Sequence, residues 1–119
     1  MPEFVTVREH EGIIQIVSIG DVSEQELHHS LERVLKLKQN LGLTRVLVDA
    51  TEQVSLPRTA SLYWFGSKLS SEALDMRHAI VVTRDQMEDL RFVWTVGQNR
   101  GLQIQLFVSR DDAVSWLKE

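Results

Sequence analysis

Residues 45–69 read RVLVDATEQVSLPRTASLYWFGSKL, and three signals follow one another there. Val46-Leu47-Val48 is a short continuous apolar run, the pattern of a central strand buried on both faces. Asp49 ends that strand, and a short polar loop follows. Pro57 then opens a helix, because its missing N–H belongs in the first turn, where that donor has no intrahelical partner. In an open α/β sheet, the loop leaving the carboxyl end of a strand is where ligands and switches sit. The helix after the loop carries three adjacent aromatics, Tyr63, Trp64 and Phe65, more than one buried stripe accommodates.

The flanking sequence supplies the rest of such a sheet. Towards the N-terminus, residues 4–8 alternate as a half-buried strand does. A turn at His10-Glu11-Gly12 leads into a second strand over residues 13–19, which predicts a hairpin. Ser23-Glu24-Gln25-Glu26 is a capping box, and Leu27, Leu31, Val34 and Leu41 recur at helical spacing behind it. That helix runs to about Asn40, with Gly42 past its end. Towards the C-terminus, residues 79–83 repeat the buried-strand pattern. Asp85 is the expected cap of a helix with Met87, Leu90, Val93, Trp94 and Gly97 on one face, closed by Asn99-Arg100-Gly101. Residues 103–108 form the last strand. Ser109 or Asp111 caps a final helix containing Ala113, Val114, Trp116 and Leu117. The order is β-β-α-β-α-β-α-β-α. It predicts one α/β domain over residues 1–119, with a mixed five-stranded sheet and four helices joined by right-handed crossovers.

Composition narrows the function classes. The chain has 119 residues, enough to bury a core of its own without a metal or disulfide staple. With no cysteine there are no disulfides, thiolate metal sites or thiol nucleophiles, and a reducing, cytoplasmic setting is expected. A net charge of −4 without a basic run argues against a nucleic-acid partner. The N-terminal MPEFVTVREHEG lacks the pattern of a secretory signal, and no apolar run approaches a membrane span.

The strand and acid of VLVDAT, the Pro-led helix and the terminal frame RGLQIQLFVSRDDAVSWL together resemble the SpoIIAA-like, or STAS-type, superfamily. Within it, the bacterial STAS/SEC14-like branch ends in a similar frame, here Phe107, Ser109 to Asp112, Ala113, Trp116 and Leu117. The resemblance covers nearly the whole chain and implies two roles. Anti-sigma-factor antagonists bind a kinase partner and are switched by phosphorylation of a serine in an Asp-Ser-Ser-Gly motif at the start of the helix after the third strand. The equivalent stretch here is Pro57-Arg58-Thr59-Ala60-Ser61, which places Thr59 nearest the modified position, with Ser61 close by. The acid and the glycine of the motif are absent. The SEC14-like branch implies an apolar ligand or membrane association instead.

Individual residues then divide into scaffold and candidates. Asp49 resembles the phospho-acceptor of a receiver domain, but the acidic pair and lysine of that arrangement are missing. Its expected role is to cap loop amides such as those of Thr51 or Glu52. At about 100° per residue, Leu62, Phe65 and Leu69 share the sheet-facing side of the Pro57 helix. Trp64 lies opposite with Lys68, and Tyr63 at the flank. An exposed tryptophan beside a lysine suits a partner surface or membrane interface, whereas a tryptophan folded under a loop is core. Phe92 and Val96 are surplus on the next helix and either line a shared cleft or pack against their neighbour. His28 and His29 point about 100° apart and make no i,i+4 metal pair. No GxSxG, phosphate loop or HExxH is present.

The expected function is a non-enzymatic, cofactor-free binding module. It takes an apolar small molecule or lipid, or docks peripherally on a membrane, through Tyr63, Trp64, Phe65, Phe92 and Val96. The alternative is a protein-interaction switch controlled by phosphate on Thr59 or Ser61, with a protein partner or a homodimer. No metal site is expected.

Overall fold

Successive residues on the central strands face opposite sides of one sheet, and both sides are packed. The computed structural model describes residues 3–8, 11–55, 75–99 and 101–119; for residues 3, 4, 8, 55, 89, 90, 92, 93, 96 and 97 it describes the backbone. The five strands are β1 Glu3–Arg8, β2 Ile13–Asp21, β3 Arg45–Ser55, β4 Arg77–Val81 and β5 Gln103–Phe107. They lie side by side in chain order. β1 pairs antiparallel with β2, and all the other neighbours are parallel. Three helices stand among the described residues: α1 Glu24–Leu41, α2 Met87–Asn99 and α3 Arg110–Leu117. The mixed five-stranded sheet matches the expectation. The fourth expected helix, opened by Pro57, lies outside the described residues.

The apolar runs of the central strands split cleanly between two cores. Ile14, Ile16, Val46, Ile80, Ile104 and Leu106 pack with Leu31 and Val34 of α1 and with Met87 and Trp94 of α2. Ile13, Leu47, Ala79 and Val81 pack with Ala113 and Leu117 of α3 on the opposite side. A parallel strand covered on both faces needs apolar residues at every position, which is why Val46-Leu47-Val48 is unbroken. Each such side chain contributes about 1.5–3 kcal/mol on leaving water.

Local chemistry sets the element ends. The Ser23 hydroxyl accepts a hydrogen bond from the Glu26 amide at 3.2 Å and donates to the Glu26 carboxylate at 3.0 Å, starting α1. Gly42 ends it in the left-handed region at φ 71°, its N–H donating to Lys38 O at 2.8 Å. Ser109, not Asp111, caps α3, accepting from the Asp112 amide at 3.3 Å. At the far end of α3, Arg77 donates to the Trp116 carbonyl at 2.7 Å while its guanidinium lies 5.3 Å from the Trp116 ring centroid. Trp116 in turn packs on Phe107, ring centroids 5.8 Å apart.

The β5 edge is guarded. Phe107 O accepts from Val82 N, so the odd positions of β5 pair inwards and the Ile104 carbonyl faces outwards. Trp94 Nε1 and Gln98 Nε2 both donate to that carbonyl, at 3.0 and 3.2 Å. Capping an edge carbonyl with side chains blunts it as a template for a further strand. Among the described residues, no helix is long and apolar enough to cross a membrane.

Several strand boundaries differ from the sequence reading. β4 begins at Arg77 rather than 79 and ends at Val81. β2 runs on to Asp21 rather than 19. Most consequentially, β3 does not end at Asp49 before a polar loop; it continues to Ser55. The cause is the length of β2, which gives β3 a partner beyond the end of β4.

Candidate functional site

β3 changes character at Asp49. Up to that point it is paired on both sides, with Asp49 opposite Val17 of β2 and Val81 of β4. Beyond it β2 alone remains as a strand neighbour among the described residues, with Ile19 opposite Glu52, Gly20 opposite Gln53 and Asp21 opposite Ser55. The register slips twice over this overhang, each time leaving an extra residue on β3. Such bulges bend a strand and re-aim its side chains. Gly20 lies at the second slip with φ 70°, and a Cβ there meets nothing within 4 Å. The glycine is therefore required by backbone conformation, not by space.

On the side that β4 has vacated, side chains take the place of a strand. Asp49 Oδ1 accepts from the Thr51 amide at 3.0 Å and the Thr51 hydroxyl at 2.7 Å. Gln86 Nε2 donates to Ala50 O at 2.7 Å and Gln53 O at 2.8 Å, with Thr51 O at 3.4 Å. The same Gln86 completes a capping box with Thr83. Its Oε1 accepts from the Thr83 amide at 2.8 Å, and its own amide donates to Thr83 Oγ1 at 3.3 Å. One side chain thus ties the overhang to the turn that enters α2. The expected cap of this helix was Asp85. Thr83 and Gln86 bond reciprocally, as Thr-x-x-Gln allows, across the turn at residues 83–86 that leads into α2.

Among the described residues, three large apolar side chains are exposed at this end of the sheet. Val54 is 78% exposed, Val108 50% and Ile19 41%. All three lie at or just past the carboxyl ends of parallel strands. The remaining large exposed apolar residue among those described, Leu41, is at the opposite end, where α1 stops. Thr51, Glu52, Thr83, Arg84 and Asp85 supply exposed polar groups beside the apolar ones.

The structure does not bring all the sequence candidates together. Thr59, Ser61, Tyr63, Trp64 and Phe65 lie outside the described residues, in the segment that leaves Ser55 and returns at Asp75. Phe92 and Val96 are placed on α2 by their backbone, with their side chains undescribed. Asp49 sits at the root of the overhang and hydrogen-bonds Thr51. No group of three or more His, Asp or Glu among the described residues is arranged to hold a metal ion. The residue that the sequence reading passed over is Gln86. Its signal was the Thr83-x-x-Gln86 spacing, ahead of the helical run beginning at Met87.

Where the chain re-enters the described residues, Lys38 Nζ lies 2.6 Å from Asp75 Oδ1. That hydrogen bond holds the Asp75 carboxyl below its ordinary pKa, outweighing the opposing effect of burial. The ion pair ties the start of β4 to the last turn of α1.

A scan against protein-family models and a search of curated proteins both find no match to this sequence. Solved structures do match. A protein from Shewanella loihica described as having a SpoIIAA-like fold superposes with a TM-score of 0.65 at 16% identity, covering 97% of this chain and 91% of that one. The chain has the SpoIIAA-like, STAS-type fold. An anti-sigma factor antagonist from Mycobacterium paratuberculosis shares the SpoIIAA-like fold with a TM-score of 0.61 at 14% identity, over 98% of this chain and 95% of that one. The anti-sigma factor antagonist SpoIIAA, in its unphosphorylated form, matches with a TM-score of 0.61 at 10% identity, over 98% and 97%. At these identities the likeness is one of fold, and the SpoIIAA-like frame does not separate the SEC14-like branch from the antagonists.

Proposed function

We propose that this chain is a non-enzymatic protein-interaction module that docks a partner protein at the carboxyl end of its sheet. The observation that carries the reading is the overhang of β3, a bulged strand end held in place by side chains and presenting Val54 at 78% exposure. A strand end that offers an apolar residue among polar ones fits the mixed surface of a protein interface better than a closed ligand pocket does. The fold supports the same direction, since two of its structural neighbours are anti-sigma factor antagonists. Control by phosphate belongs to the proposal. A phosphate on Thr59 or Ser61 adds about −1.5 to −2 of charge beside Arg58, just beyond the overhang.

The test is retention of a protein from a lysate of the source cells by the immobilised chain, compared with the same chain carrying Val54→Asp. The reading predicts a defined protein held by the wild type and held at least about tenfold more weakly by the variant, the loss expected when a charge is buried at an interface. Equal retention by both removes the overhang from the interface. Adding ATP to the retained complex and weighing the chain intact tests the switch. A phosphate increment on Thr59 or Ser61 supports it, and an unchanged mass removes it. Native mass spectrometry of the purified chain separates the other readings. A co-purified lipid favours an apolar ligand at Tyr63, Trp64 and Phe65, and a stoichiometric dimer makes a second copy the partner.

A further inference from the structure

We infer that Gln86 is a positioning residue, standing in for the missing stretch of β4 and coupling the β3 overhang to the start of α2. β4 ends its pairing at Val81, opposite Asp49. Among the described residues, the carbonyls of Ala50 and Gln53 then have no strand on that side. An amide NH2 carries two donor hydrogens, and Gln86 Nε2 lies 2.7 and 2.8 Å from these two oxygens. Ala50 is buried at 1% exposure, so its carbonyl has little access to water as a substitute. The other end of the same amide is also engaged, through Oε1 to the Thr83 amide at 2.8 Å.

Both halves of the Gln86 amide are therefore used, one on each element. The Gln86 donor is bonded to the overhang, and the Gln86 acceptor to Thr83, at the start of the turn that leads into α2. The segment expected to bind or to carry phosphate begins immediately after Ser55. Gln86 bonds both to the strand leading into that segment and to the turn leading into α2. Why this coupling matters rests on the partner reading above; the coupling itself does not.

Amide hydrogen exchange on the free, full-length chain tests it without any partner. In Gln86→Leu, exchange at residues 52–55 and at Thr83 rises at least about tenfold, as expected when buried carbonyls lose their donors. Amides of Val46 to Val48 and of Ile104 to Leu106 keep their wild-type protection. Gln86→Glu separates the two halves. It keeps an acceptor for the Thr83 amide but puts a carboxylate oxygen towards the Ala50 and Gln53 carbonyls. Residues 52–55 then open while Thr83 stays protected. If Gln86→Leu does not fold, Gln86→Glu and the shorter Gln86→Asn carry the test. Unchanged protection at 52–55 in these variants overturns the inference. So does an equal loss across the overhang and the central strands, which would make Gln86 a general structural residue.

Discussion

β3 holds two regions that obey different rules. Residues 45–49 are flanked by strands on both sides and contribute to both cores, through Val46 on one face and Leu47 on the other. Among the described residues, 50–55 have one strand neighbour, two register slips and side-chain partners in place of a second strand. The first region is held by apolar burial, which is diffuse and strong. The second is held by a few directional hydrogen bonds, each worth about 0.5–1.5 kcal/mol net. A strand can thus be anchored globally at one end and adjustable at the other, and the adjustable end is the one that leads into the candidate binding segment.

The contrast can be broken from either side. The largest effect belongs to the anchored half. Leu47→Ala removes a side chain that is 1% exposed and lowers global stability by about 2–5 kcal/mol in chemical denaturation. Gly20→Ala acts on the β2 side of the overhang. Forcing a Cβ into a positive φ costs about 1–2 kcal/mol, with faster exchange confined to the overhang and its β2 partners. Asp49→Ala removes both bonds to Thr51 and costs about 1 kcal/mol in the same denaturation experiment. Val54→Asp, at a fully open position, changes stability by less than about 0.5 kcal/mol while weakening partner retention.

The smallest expected effect is on pH dependence at the return of the chain. The Asp75 carboxyl is held below its ordinary pKa by Lys38. Its contribution to stability is therefore present above the unfolded value and is lost as pH falls through the lowered one. Asp75→Asn flattens the acid limb of the stability curve slightly and leaves neutral stability almost unchanged, since an exposed pair contributes little. A steep change at neutral pH in that variant would mean that the pair anchors more than the strand start.

The anchored half was legible in the sequence because burial on two faces leaves a one-dimensional record. Val46-Leu47-Val48 and Ala79-Ile80-Val81 are apolar at every position, and Ser23-Glu26 and Gly42 mark the ends of α1 through local chemistry. The overhang was not legible for the same reason reversed. Thr51-Glu52-Gln53 is polar because that stretch projects past the cores, so it reads as a loop. Its strand geometry comes from β2, more than thirty residues earlier in the chain, running on through Gly20 to Asp21. Gln86 escaped notice because one of its roles is local, as a capping box, and the other joins two elements that only the fold brings together. The Asp49–Thr51 bond spans two residues and so needs no tertiary information.

The measurement that tests this account most directly is residue-resolved hydrogen exchange along β3 of the wild-type chain as denaturant is raised. The account predicts that Val46 to Val48 exchange only through global unfolding, with a steep denaturant dependence. Residues 52–55 exchange through a smaller opening that is nearly independent of denaturant. A single shared opening energy and slope from residue 46 to residue 55 would contradict it, because the overhang would then be ordinary core strand and not a separately held platform.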